Sequence, residues 1–468
     1  MSVVASNLTS GFIDLATYDE LEKYLYGGAS ATAYFVRETR KATWFTQVPV
    51  VLSRANGNAE FGTDHSVNIT RAGDYLLCAW LRVNFPSVTL SDSNQFGANG
   101  RIRWTRNLMH NLLYECAISF NDLVAARFDN FHLDFWAAFT VPAGKINGYK
   151  NMIGDVPDLI EGHAPGANNA IPAATLNLPL PLFFARDSGV ALPTAALPYN
   201  DMRITYSFRN WNDLLILDNS AAPAGTNPST VPLATDFPNS VVPVLGVVQT
   251  WANYAIVSND ERKRMACAPR NILIEQVQTA PITTFNPSTN TNPLYDLRFS
   301  HAIKAMFFAV RNVTVQNEWS NYTAATPVYS HGMINFNPSG AVDPITTTSL
   351  TYENTARLQN MGSDYFSLVQ PYYHAVTIPI ETGYHMYSYS LDFICLDPKG
   401  STNYGKLTNV SIAPVASTGA ITGAAGTGVV DSGADFPQTY RFVCTVVNNN
   451  IIRISGGEPN APPTVSCK

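Results

Sequence analysis

Hydrophobic and polar residues alternate with a period of two through much of this chain. The pattern is clearest where Met202, Ile204, Tyr206 and Phe208 are set against Arg203, Thr205, Ser207 and Arg209. A strand with one buried face reads this way. The same alternation puts Leu77, Ala79, Leu81, Val83 and Phe85 on one face of a run from Tyr75 to Phe85, with Cys78, Trp80, Arg82 and Asn84 on the other. Further β runs are predicted from Trp44 to Leu52, Ser66 to Thr70, near Leu113 to Phe120, and Val247 to Val257. Pro179 and Pro181 lack the N–H that a central strand needs, so Leu176 to Phe208 reads as strand, long ordered crossing, strand.

Helical spacing is rare. Leu21, Tyr24 and Leu25 follow a capping box from Thr17 to Glu20, and Gly27-Gly28 ends the turn, which predicts a short amphipathic helix over about 18–26. It is either an arm that docks on a neighbour or a membrane surface, or an element packed on its own domain. Phe128 to Phe139 is a helix-like aromatic patch. Asn219 to Pro243, rich in Ala, Pro, Ser and Thr, reads as a linker. Ser258 to Glu261 is a second capping box, opening a short charged helix that ends before Pro269 and reads as a solvated connector.

After that helix the order of elements repeats. Ile272 to Val277 and Leu297 to Val313 are β runs, and FFAVRN in the latter answers AWLRVN in the first half. Thr351 to Asn354 answers Ser119 to Asp122, and Tyr365 to Tyr373 answers the aromatic patch at Phe128 to Phe139. Tyr387, Tyr389, Leu391 and Phe393 answer the alternation ending at Phe208, so that Ile378 to Phe393 echoes Ala195 to Phe208. Tyr440, Phe442, Cys444 and Val446 supply a last alternating strand, as Val247 to Val257 does in the first half. Matches in the same order imply an internal duplication of all-β domains. Short strands between long Gly/Pro/Asn loops suit Greek-key sandwiches, of which the jelly roll is the common eight-stranded form. The stretches Asn312 to Thr348 and Ala416 to Phe436 exceed ordinary loop length and are expected to be functional or mobile.

Composition narrows the function classes. At 468 residues the chain is too long for one ordinary core. Charged residues are only 14%, against a usual share of roughly 25%, which suggests that other subunits cover part of an uncharged surface. The net charge is −6 and the one basic run, Arg262-Lys263-Arg264, follows Asp260-Glu261, so direct binding of nucleic acid is not expected. Cysteines at 78, 116, 267, 395, 444 and 467 are too scattered for a disulfide framework or a zinc site and point to reduced thiols; Cys78 and Cys444 read as core residues. The amino terminus, MSVVASNLTSGF, lacks a basic start and an apolar leader segment, and no run of about 18 apolar residues occurs. Sequons at Asn7, Asn68, Asn312, Asn321 and Asn409 are expected by chance in an Asn- and Thr-rich chain.

Asp187-Ser188-Gly189 and Asp431-Ser432-Gly433 would suit a carboxylate dyad sharing one proton. Against that, Arg186 replaces an apolar strand residue, and the second turn lies in a Gly-rich loop too near the C terminus to complete a lobe. Plain turn chemistry is preferred. Histidines at 65, 110, 132, 163, 301, 331, 374 and 385 form no metal-ligand spacing. No nucleophile elbow, Walker loop or dinucleotide fingerprint is present. No catalytic, cofactor-binding or metal-ligating residue is therefore assigned, and no cofactor is expected.

Longer segments carry a resemblance. GFIDLATYDELEKYLYGG (11–28), RETRKATWFTQVPV (37–50), FNDLVAARFDNFHLDFWAAF (120–139), LPLPLFFARDSGVALPTAALPYNDMRI (178–204), RFSHAIKA (298–305), GSDYFSLVQPYYHA (362–375), GSTNYGKLTN (400–409) and NNNIIRISGG (448–457) resemble the major capsid proteins of iridoviruses, especially those infecting invertebrates. The resemblance implies a double jelly roll, two eight-stranded β-sandwiches in tandem, with short helices in loops and an N-terminal helical arm. The expected limits are 1–30 for the arm, 31–268 for the first jelly roll and 269–468 for the second. It further implies a non-enzymatic structural subunit, assembled in the host cytoplasm late in infection as a homotrimer that forms a pseudo-hexagonal capsomer. Its implied partners are neighbouring capsomers, minor capsid and penton proteins and an inner viral membrane. Long loops would project outward as a tower, while the base faces inward. The tail EPNAPPTVSCK departs from the apolar ending of the family and leaves contacts by that terminus open. The alternatives are a two-module carbohydrate-binding β protein and, third, a peptidase.

Overall fold

The computed structural model describes residues 3–467 apart from positions 38, 198–199, 224–225, 268–269, 288, 325–328, 331–332, 335–342, 425–437 and 456–463. It divides into two units, Met1–Trp44 and Phe45–Lys468. In the first, α1 (Val3–Ala16) precedes α2 (Glu20–Leu25). The cap of α2 lies two residues beyond its expected place. Asp19 accepts from the Glu20 N–H at 2.8 Å, and Glu22 accepts from the Asp19 N–H at 3.3 Å. Thr17 instead donates to the Asp14 carbonyl at 2.7 Å. α1 escapes a periodicity reading because its Val, Ser, Thr and Gly residues have modest helix propensity.

The second unit builds two antiparallel sandwiches. The first uses β1 (Phe45–Val51), β2 (Asp64–Asn68), β3 (Tyr75–Phe85), β4 (Leu113–Phe120), β5 (Leu123–Asp129), β6 (Ala174–Pro179), β7 (Met202–Phe208) and β8 (Val248–Val257). Its sheets run β1-β8-β3-β6 and β2-β7-β4-β5. The second uses β9 (Arg270–Thr279), β10 (Tyr295–Asp296), β11 (Ala302–Asn312), β12 (Ile345–Tyr352), β13 (Thr355–Gly362), β14 (His385–Ser388), β15 (Val410–Ala416) and β16 (Tyr440–Ser455). Its sheets run β9-β16-β11-β14 and β10-β15-β12-β13. Strand for strand the orders are the same, and each is that of a jelly roll. The chain is a double jelly roll.

The duplication extends to the turns. β4 and β5 meet through Asn121 and Asp122 at φ 50° and 65°, and β12 and β13 through Glu353 and Asn354 at φ 46° and 65°. Two consecutive left-handed residues make the turn that matches the twist of a hairpin.

Topology corrects one predicted equivalence. Tyr387 lies in β14, which pairs with β11 as β6 pairs with β3, so it answers Leu176 to Pro179 and not the alternation ending at Phe208. The counterpart of β7 is β15, each hydrogen-bonded to the first strand of its hairpin. Leu391 and Phe393 fall past the end of β14 in bends.

A bulge opposite Asn253 and Tyr254 shifts the register of β3, turning Leu76 inward in place of Leu77. Asn219 to Pro243 is not a linker: buried Asp236 accepts from the Gln95 N–H at 2.9 Å, and Phe237 packs edge-on against Trp211 in the core of the first roll. The charged helix Asn259–Cys267 is more than a solvated connector, because Arg262 donates to buried Asp74 through Nε at 2.8 Å and through its guanidinium terminus at 3.0 Å. Gly100–Trp104 forms an unpredicted small sheet with Leu215–Asn219 and Ser229–Thr230. Within the two long stretches, Thr418–Ala424 is a helix and β12 begins at Ile345. Among the described residues no helix is long and apolar enough to cross a membrane.

Candidate functional site

The concentration of buried polar and aromatic side chains lies where the two rolls meet. A helix inserted after β5, Asn130–Thr140, is one half of it. Asp129 caps this helix, accepting from the His132 N–H at 2.9 Å. Leu133 anchors it in the core of the first roll, and Phe131, Phe135 and Phe139, spaced one turn apart, leave on another face. That face lies on the outer surface of the second roll's β9-β16-β11-β14 sheet, against Ala305, Phe307, Ala309, Met386, Val443 and Val447. Phe139 stacks on Phe307 at 5.4 Å. β11 is accordingly buried on both faces: Met306, Phe308 and Val310 point into their own sandwich and Phe307 into the junction. Gly383 passes so close to the Tyr322 backbone, at φ 99°, that a side chain there would collide with it.

Charges set the orientation of this contact. Arg103 donates to Asp218 at 2.7 Å and to Glu318 of the second roll at 2.8 Å, all three nearly inaccessible to solvent. Burial works against the guanidinium charge, and the two carboxylates more than offset it, so the group stays protonated. Trp319 lies between the guanidinium groups of Arg209, 3.7 Å from the ring centroid, and Arg311, 4.1 Å away, and donates to the Asp213 carbonyl at 2.8 Å. Lys304 donates to Glu275 at 2.5 Å and to the Cys395 carbonyl at 2.7 Å. Asp134 accepts from Ser320 at 2.8 Å, Tyr322 at 3.0 Å and Asn107 at 3.2 Å, and lies 2.8 Å from His110 Nδ1. Next to it opens a pocket of about 170 Å³ lined by Asp155, Lys150 and Glu381, where each of the two carboxylates pairs with Lys150 and with Arg106.

Among the described residues two Ser/His/Asp groupings occur, one at the junction and one inside the second roll where His385 stacks on Phe308, and their geometry differs from a nucleophile relay. A relay needs the carboxylate on one imidazole nitrogen and the serine on the other. Ser320 contacts Asp134 and not His110, whose second nitrogen faces Tyr149 at 2.6 Å. Ser363 and Asp343 both approach the same nitrogen of His385, at 2.6 and 2.7 Å, and the other nitrogen is buried with no hydrogen bond. Burial raises the Asp343 carboxyl, but His385, the Ser363 hydroxyl and the Ile345 N–H outweigh it and hold the group below the usual carboxylate range.

Asp187 holds the N-cap position of a one-turn helix, Ser188–Val190, in the crossing between β6 and β7, and Asp431-Ser432-Gly433 lies outside the described residues. His65 stacks in the first roll at 5.1 Å from Tyr206, His132 sits between Phe128 and Trp136, and no group of three metal-ligating side chains occurs among the described residues. Cys116 and Cys444 are buried and Cys78 is half-buried. Asn312 and Asn321 are buried, while Asn409 is exposed. The junction residues Arg103 and Glu318 were missed because charge reads as surface; the continuous apolar run from Ala305 to Val310 was the available signal.

The exterior carries a second feature. After β13 the helix of residues 365–374 exposes Leu368, Val369, Tyr372 and Tyr373, the last two more than 70% accessible, followed by exposed Val376 and Ile380.

Comparison with known proteins covers both rolls. A family model described as "Major capsid protein N-terminus" matches residues 33–257, and one described as "Large eukaryotic DNA virus major capsid protein" matches residues 261–458. The major capsid protein of Invertebrate iridescent virus 6 is 64% identical over 467 residues, covering 99% of this chain and 100% of that protein. That of Lymphocystis disease virus 1 is 48% identical, covering 98% and 99%. The fold also matches a solved structure described as "PBCV-1 virus capsid, quasi-atomic model" at TM-score 0.69 and 19% identity, covering 93% of this chain and 99% of that one. A Faustovirus major capsid protein matches at TM-score 0.65 and 12% identity, covering 91% and 93%.

Proposed function

The chain belongs to the iridovirus major capsid protein family, and from that premise we propose that it works as a homotrimer whose six jelly rolls form a pseudo-hexagonal capsomer of an icosahedral shell. Its place is the virion capsid, among other capsomers. In this reading synthesis and assembly take place in the host cytoplasm late in infection, and minor capsid proteins, penton proteins and an inner viral membrane are further partners. The subunit is structural, with no catalytic residue, metal or cofactor and no direct contact with nucleic acid. The arm occupies 1–30, the first roll 31–268 and the second 269–468.

The observation that carries the reading is the fusion of two rolls of one topology through a buried junction. One chain then supplies two of six near-equivalent units, and heterologous contacts between three chains close a ring. Each chain-to-chain contact is expected to exceed the standard interface of about 1,600 Å². Light scattering on the full-length chain after size exclusion tests this. The expected mass is three times the 51.1 kDa of one chain; a monodisperse single chain would overturn the proposal.

A further inference from the structure

The two rolls treat one equivalent helix in opposite ways. In the first roll the helix Asn130–Thr140 follows β5, anchors Leu133 in its own core and lays Phe131, Phe135 and Phe139 on the outer face of the next roll's sheet. In the second roll residues 365–374 follow β13 and anchor Phe366 in their own core, 5.3 Å from Phe308. Their remaining apolar face, with Leu368, Val369, Tyr372 and Tyr373, meets solvent. The surface equivalent to the one already covered is the outer face of the first roll's β1-β8-β3-β6 sheet. There the register aligns Val51 with Trp251, Trp251 with Trp80, and Trp80 with Pro179. The two indoles stack at 6.2 Å and 10°. This row of four apolar side chains crosses all four strands; Val51 and Pro179 are exposed at its ends.

We propose that the helix of residues 365–374 in one copy docks on the Val51–Trp251–Trp80–Pro179 row of the next copy, repeating between chains the contact that Asn130–Thr140 makes within one. The inference rests on the trimeric reading above and adds the pair of surfaces that closes it. The occupant is a second copy because the contact it repeats is visible within this chain, between the same two kinds of surface: an aromatic helix after the hairpin, and the outer face of the sheet that contains the roll's first and last strands. Tyr and Trp are also the side chains most enriched where interfaces carry their energy. Contacts of this kind, alternating within and between chains, give six similar junctions in a ring of three.

The test uses the full-length chain. Tyr372→Asp with Tyr373→Asp places two charges on side chains already exposed in a single copy, so the fold is retained, as circular dichroism checks. The expected result is a mass of one chain where the unmodified protein gives three. Independently, Tyr373→Cys combined with Gln249→Cys, on the strand beside Trp251, is expected to yield covalent dimers and trimers with a short bis-maleimide, well above either single variant. A trimer that survives the double aspartate change, or that gives no more cross-linked product in the paired variant than in the singles, overturns this pairing and leaves the capsomer reading standing. An unmodified chain that is monomeric overturns both.

Discussion

Phe135→Ala removes the centre of the contact between the rolls. The ring is fully buried and touches the second roll on three sides: Phe307 nearly parallel at 6.0 Å, Tyr322 at 5.7 Å and Tyr384 edge-on at 6.0 Å. Truncating a buried Phe costs about 3–5 kcal/mol in transfer and cavity terms together, and aromatic pairs contribute about 0.5–1.5 kcal/mol beyond their area. Typical domain stability is about 5–15 kcal/mol, so the loss is a large share of whatever couples the rolls. The expected outcome is a lower unfolding midpoint in urea and, in calorimetry, a single transition splitting in two, as the second roll's sheet loses its cover over Phe307 and Val443. Phe135→Leu keeps more of the volume and should cost less than Phe135→Ala. Val241→Ala, at a 68% exposed position, serves as the control, expected within about 0.5 kcal/mol of the unmodified chain. If Phe135→Ala matches that control, or the transition stays single with an unchanged midpoint, the junction does not couple the rolls.

Arg103→Met leaves Asp218 and Glu318 buried without their cation, and breaking such a set costs about 3–5 kcal/mol. Combining it with Asp218→Asn and Glu318→Gln should regain much of that, since the remaining groups are neutral; equal midpoints for the single and triple variants in chemical denaturation would contradict this. Acid dependence follows from two histidines. Burial, then the charge of Arg54, lowers the His65 pKa to about 4 against the pull of Asp64, and burial, then Arg186, lowers that of His132 to about 3. Unfolded histidine titrates near about 6.5, so below that pH the unfolded chain binds protons that the folded one refuses, and stability falls as pH drops toward 4 and then 3 while staying flat above. Denaturation midpoints measured across that window should fall, less steeply in His132→Phe; midpoints independent of pH there would contradict the assignment.

What the residues reveal depends on which faces a strand buries. β7 has one buried face and its alternation from Met202 to Phe208 was legible residue by residue. The hairpins at Asn121 and Glu353 were legible as a matched pair because a tight turn depends only on local backbone geometry. β11 was found as a strand, but the reason for its unbroken run, a helix from the other roll on its outer face, lies far away in the chain. The alternation from Tyr387 to Phe393 misled because period two identifies a strand and not its neighbour; only the pairing with β11 shows which strand it answers. Leu77 failed for a smaller reason, one extra residue at a bulge.

The low charge content also takes a different meaning once the junction is seen. With 14% charged residues, the chain buries Arg103, Asp218, Glu318, Asp134, Lys304, Glu275 and Arg311 between or beside its rolls, so the exterior is poorer in charge than composition implies. Apolar burial is roughly proportional to area and non-directional, and the aromatic helix alone would tolerate sliding on the sheet. The guanidinium of Arg103 held by two carboxylates, and Trp319 held between two guanidinium groups, allow one angle. A subunit that supplies two sides of a closed ring needs that angle fixed, because any error within a chain recurs at each copy and the ring fails to close. In the proposed trimer, charge is therefore placed where one angle must be held inside the chain, and uncharged aromatic surface where copies would meet.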